Sequence, residues 1–161
     1  MVRGSFFRSA SMKIADVDIN VLIPTCWHPY CRFWNNQPRP KGVRQGQKRK
    51  CFFNAFQLAD RNSDYCYVEG WADDNGLLLE HAWCVDRSGN VIDPTWQYNP
   101  HIVYFGVPLT MTWAYAAVTK NNGHWSSLWH APTCFKSSGS VEIAVRHEFL
   151  RKGAELTGEL V

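Results

Sequence analysis

Three residues far apart in the chain have the types that thiol chemistry requires: Cys51, His81 and Asp93. A thiol acts as a nucleophile only after losing its proton, so a base must lie beside it. An imidazole serves as that base when an acceptor fixes its second ring nitrogen. Cys51 opens a segment with helical spacing, in which Phe52, Phe56 and Ala59 recur at i, i+4 and i+7. A cysteine in the first turn of a helix faces the positive end of the helix dipole, which favours the thiolate. Lys48, Arg49 and Lys50 add positive charge just upstream. A buried, inert thiol is the commoner fate of a free cysteine, so the case turns on whether a base reaches this one.

His81 lies in the apolar run Leu77–Val85, where strand alternation puts Leu79, His81 and Trp83 on one face. A histidine on such a face is more often a satisfied core residue, but Asp93 follows across a short connection. If Arg87-Ser88-Gly89 forms a three-residue loop with Gly89 left-handed, Asp86 pairs with Asn90 and Trp83 faces Asp93. His81 is then the diagonal neighbour of Asp93 on the same face, roughly 7–8 Å away and within reach of two side chains meeting midway. Any odd loop length keeps the two together, whereas an even one separates them by face.

The elements that must carry these residues follow from the same patterns. Ile14–Ile23 alternates as a strand, and Thr25–Lys50, interrupted by prolines, reads as a long loop. A helix from Cys51 stops at Asn62-Ser63-Asp64. Tyr65–Trp71, Leu77–Val85 and Asn90–Trp96 then suggest an antiparallel meander, with a fourth strand at Tyr104–Leu109. A short helix around Met111–Val118 and a last one from Ser140 to Leu150 complete an α+β domain, a nucleophile helix packed on an antiparallel sheet. The 161 residues suit one core. Residues 1–12 are expected to be disordered or vector-derived, with Met12 a natural start, and 13–161 to form the single domain.

The residues that carry a family resemblance are His81-Ala82-Trp83 followed by Val91-Ile92-Asp93-Pro94-Thr95. They resemble the His-Ala-Trp … Val-Asp-Pro-Thr signature of transglutaminase-like thiol enzymes. Cys51 at the mouth of a helix is similar to the nucleophile of that superfamily and of papain-like peptidases. The resemblance spans Gln45 to Trp96. The nucleophile's own context, Arg49-Lys50-Cys51-Phe52, departs from the small-Gly-Cys-Trp pattern common there. What the resemblance implies is a papain/transglutaminase-like fold and a Cys-His-Asp hydrolase or acyltransferase acting on an amide, isopeptide or ester bond, with no cofactor. It also implies a role for Gln45, which precedes Cys51 by the six positions at which papain-like enzymes place an oxyanion-hole glutamine.

Other features were weighed against this. Cys26, His28 and Cys31 cluster, and with Cys134 or His130 they approach a zinc set, but the spacing matches no common ligand pattern and no metal is expected. Cys66 and Cys84 read as core thiols. Of the strand residues Tyr67, Trp71, Trp83 and Trp96 most belong in the core, with Trp83 and Trp71 the candidates to line a substrate cleft. The basic run Arg39, Lys41, Arg44, Lys48, Arg49 and Lys50 reads first as a solvated loop and second as a rim that attracts an acidic substrate. A net charge of +3 is too small to argue for nucleic acid. No stretch reaches the roughly 18 apolar residues of a membrane span. Six cysteines in this length do not make a disulfide scaffold, so reduced thiols and a cytoplasmic, bacterial or phage setting are expected. The alternative function is a binding or inhibitor module that keeps the scaffold without the chemistry.

Overall fold

The computed structural model describes residues 25–120 and 142–155. The expected strand at Ile14–Ile23, the residues before it, Cys134 and His130 lie outside that range. In chain order the elements are a 3-10 turn Thr25–Tyr30, β1 Arg32–Trp34, α1 Cys51–Arg61, β2 Cys66–Asp74, β3 Leu77–Val85, β4 Val91–Ile92, β5 Ile102–Leu109, α2 Met111–Lys120, the single turn α3 His147–Leu150, and β6 Ala154–Glu155. The strands form one sheet in the order β4-β3-β2-β5-β1-β6, every neighbouring pair antiparallel. The architecture is α+β.

Helix α1 forms where its spacing predicts. Ala55, Phe56 and Ala59 are buried, and the two alanines let the helix approach the sheet closely enough for the Cys84 thiol to donate to Ala55 O at 3.2 Å. Phe56 packs edge-on against Tyr67 of β2, with a centroid separation of 6.1 Å. The helix stops at Asn62, whose backbone N–H returns to Ala59 O.

The hairpins set the register. Asn75 and Gly76 both take positive φ (52° and 91°), the two-residue turn that right-handed strand twist favours. The β3–β4 connection is the three-residue loop Arg87-Ser88-Gly89: Asp86 N–H donates to Asn90 O at 3.0 Å and Gly89 has φ 84°. Val85 then pairs with Val91 and Cys84 with Ile92.

Three expectations need correction. The segment 25–50 is not loop throughout: Trp27 and Cys31 of its first part are fully buried, and β1 pairs with β5 and β6. Three residues are too few to show alternation. The strand expected to run to Trp96 ends at Ile92, because Pro94 has no N–H and restrains Asp93 before it. The last helix is broken at Val145, which bridges to Leu109, while Arg146 N–H donates to Pro108 O at 2.9 Å. The end of β5, unpaired by β1 beyond Gly106, captures that backbone.

Each face of the sheet is covered. Tyr67, Ala82, Cys84, Phe105, Val107 and Leu109 meet α1 and Trp27. Val68, Ala72, Trp83, Val85, Val91 and Tyr104 pack with Phe149 and Trp96 on the other side. No helix among the described residues is long and apolar enough to cross a membrane.

Candidate active site

His81 lies on β3 where that strand passes beyond its pairing with β4, which ends opposite Cys84. Trp83 and Asp93 are next in register, so His81 stands diagonally from Asp93, and its Nε2 lies 2.7 Å from Asp93 Oδ2. A carboxylate only accepts, so Nε2 carries the hydrogen and Nδ1 is left for another partner. Cys51, in the first turn of α1, lies close enough to the ring for its charge and hydrogen-bonding capacity to raise the His81 pKa. The imidazole is therefore bonded to the carboxylate, with the Cys51 thiol in its neighbourhood.

Asp93 is held from all sides. Its Oδ1 accepts the backbone N–H of Thr95 at 2.7 Å and of Trp96 at 3.0 Å. Its Oδ2 accepts the Tyr104 hydroxyl at 2.9 Å as well as His81. Burial pushes this carboxyl up. The hydrogen bond and charge of His81 together with the two backbone donors outweigh it and hold the pKa below the ordinary value. Burial by itself depresses His81, but its hydrogen bonds to Asp93 and Cys51 and their charges lift it to about 9. Burial, then the Asp93 charge, push Tyr104 up, so its hydroxyl stays a neutral donor. Trp96 stacks on the imidazole at 3.9 Å between centroids and 18° between planes, a favourable place for a cationic ring.

The loop before Cys51 is strapped to the same turn. Arg39 donates from Nε to Asp93 O at 3.0 Å and from Nη2 to Trp96 O at 2.9 Å. Gln45 Nε2 donates to Thr95 O at 2.9 Å, and Gly46 N–H to Pro94 O at 2.6 Å. The buried side chain of Asn54, one turn into α1, completes the strap. It accepts Gln47 N–H at 3.1 Å and donates to Gln47 O at 2.7 Å and to Thr95 Oγ1 at 2.9 Å. Asn54 thus ties α1 to the turn carrying Asp93. Asn54→Ala strands these partners and is expected to lower unfolding stability by about 2 kcal/mol, read from denaturant midpoints.

The placements of the sequence candidates differ. Cys51, His81 and Asp93 are brought together. Gln45 reaches the Asp93 turn and spends one amide N–H on Thr95 O. Trp83 is fully buried and packs on Tyr104 at 5.1 Å, so it supports the His81 face from within and cannot line a cleft. Trp71 is partly buried against the core on the α1 side of the sheet. Among the described residues no three metal-ligating side chains cluster. Cys31 is a core thiol, pushed by burial up to about 12. Cys66 and Cys84 are buried as expected.

Tyr104 and Asn54 join the site unmarked by the sequence, and so do Arg39, expected only in a basic rim, and Trp96, expected only among the strand aromatics. Only Trp96 carried a signal, its place two residues after Pro94.

The pKa shifts imply a pH dependence of stability. The folded pKa of His81, about 9, exceeds its ordinary 6.5, so its contribution is complete below about pH 6.5 and is lost as pH rises through about 9. Asp93 is depressed, so its contribution is present above the ordinary carboxylate range and fades as pH falls through it. The stability difference between the wild type and His81→Gln should shrink between about pH 6.5 and 9 in parallel denaturant titrations. The buried thiols are common to both chains and cancel.

Arg49 takes a left-handed φ of 62° immediately before the helix, and Lys50 at the N-cap makes no side-chain capping bond. The Cys51 N–H, at the first helical position, has no acceptor within the helix. No protein-family model, curated protein or solved structure matches the chain.

Proposed function

We propose that the chain is a thiol-dependent hydrolase or acyltransferase of the papain/transglutaminase type, working through Cys51, His81 and Asp93. The observation that carries this reading is His81 bonded to a buried, four-fold hydrogen-bonded carboxylate, with a thiol at a helix N-terminus near enough to act on the ring's pKa. A structural histidine needs one such partner. A general base needs both in line.

In the reaction, His81 Nδ1 takes the thiol proton and Cys51 Sγ attacks the carbonyl carbon of an amide, isopeptide or ester. The carbonyl electron pair moves to oxygen, where the Cys51 backbone N–H and the remaining amide N–H of Gln45 receive it. As the tetrahedral centre collapses, His81 returns its proton to the departing amine or alcohol and a thioester remains on Cys51. Water or an amine, deprotonated by His81, then attacks the thioester and expels the thiolate, releasing an acid or a new amide. Asp93 holds the ring and stabilises its charge throughout.

Brief exposure to p-nitrophenyl acetate, followed by intact-mass and peptide analysis, tests this directly. One acetyl group on Cys51 is expected, released on adding hydroxylamine. Acetylation spread evenly over several cysteines, or absent from Cys51, would end the enzymatic reading.

A further inference from the structure

A depression of about 280 Å³ is lined by Arg49, Lys50, Phe52 and Phe53, the residues that flank Cys51 in the chain. Two cations immediately precede Cys51 in the chain and two phenyl rings follow it, so the space combines positive charge with apolar surface within two residues of the nucleophile. Arg49 and Lys50 are exposed, as are Lys41, Arg44 and Lys48 on the same loop. None of the five forms an ion pair among the described residues, and no Asp or Glu occurs between Asp18 and Asp60. Arg39, the remaining cation of the run, is committed to backbone carbonyls. The nearest acid of the site, Asp93, is buried and engaged with His81. The positive field at the entrance is therefore not neutralised locally.

We propose that this depression binds a carboxylate of the substrate, so that the preferred acyl donors carry an acidic group beside an apolar or aromatic one close to the scissile carbonyl. The inference rests on the thiol reading and narrows it to one substrate class, met in an acidic peptide segment or a small carboxylated ester. Arg49 and Lys50 hold the carboxylate, and Phe52 and Phe53 cover the adjoining hydrocarbon. Neither cation takes part in the bond-making steps.

Iodoacetate and iodoacetamide separate the two claims, because they share a reacting carbon and differ by a carboxylate in place of an amide. With either reagent the sulfur electron pair forms the C–S bond as the C–I bond breaks, and iodide leaves with the bonding electrons. Rates of modification at Cys51 are to be followed by peptide mass spectrometry in the wild type and in the double variant Arg49→Gln/Lys50→Gln. The ratio of the iodoacetate to the iodoacetamide rate is expected to fall about fivefold in the variant at low salt, the size two exposed charges supply together. The iodoacetamide rate reports a folded, reactive thiol and, as the denominator, absorbs any change in thiolate fraction that losing two cations brings. In the wild type, added salt should slow iodoacetate more than iodoacetamide, since it screens attraction to the cations. An unchanged ratio in the variant, or salt that speeds iodoacetate, overturns the carboxylate site. A Cys51 that reacts with iodoacetamide no faster than the partly exposed Cys26 overturns the underlying thiol reading instead.

Discussion

Cys51→Ala should lower ester or amide turnover by about 10⁴-fold or more and leave the fold in place. The sulfur is the only proposed group that forms a bond to substrate. Without it the two-step path through a thioester closes, and only the oxyanion donors and His81 acting on water remain. The fold tolerates the change because Cys51 is only partly buried at the first position of α1, and alanine is the better helix former. Unfolding stability should stay within about 1 kcal/mol of wild type. Activity measured alongside a denaturant curve checks both halves. Turnover within tenfold of wild type would place the chemistry elsewhere.

Asp93→Asn is expected to cost about 10³–10⁴-fold in kcat/KM, although it changes a single atom. The surroundings decide which way the new amide points. Two backbone N–H groups, of Thr95 and Trp96, converge on the oxygen now called Oδ1, so the amide oxygen must stay there and the NH₂ must face His81 and Tyr104. The Tyr104 hydroxyl can rotate to accept. His81 Nε2, however, must then accept as well, which drives the imidazole proton to Nδ1, the position facing Cys51. A ring protonated there in its neutral form cannot take the thiol proton, and the negative charge that stabilised the imidazolium is gone. Kinetics should show the loss in kcat more than in KM, since the carboxylate touches no substrate. A variant retaining more than a tenth of wild-type kcat/KM would show that the His81 tautomer is not under the control of Asp93.

The parts of the site legible from the chain alone are those governed by short-range rules. Apolar spacing after Cys51 and the stop at Asn62 define α1. Alternation in Leu77–Val85, with a left-handed Gly89, gives the register that sets His81 diagonally from Asp93. What was not legible depends on contacts made across long stretches of chain. Arg39, Gln45 and Asn54 reach Asp93, Thr95 and Trp96 across 41 to 57 positions, mostly by side-chain bonds to backbone carbonyls, which leave no periodic trace. Alternation likewise puts Trp83 on the His81 face but does not say whether that face is covered. Tyr104 and Phe149 cover it, and the exposed aromatic role beside His81 passes to Trp96. The β1 strand, three residues among prolines, exists only because β5 offers an edge to pair with.

The central claim is that thiol, imidazole and carboxylate share protons as one unit. The most direct test is a pH titration of the His81 ring by NMR in ring-labelled protein, wild type against Cys51→Ala. In the wild type the midpoint should fall at about 9, and removing the sulfur should lower it, because the Cys51 hydrogen bond and charge are among the causes that raise it. A wild-type midpoint at or below the ordinary 6.5, unmoved by Cys51→Ala, would mean that the imidazole does not sense the sulfur, and the account would not stand.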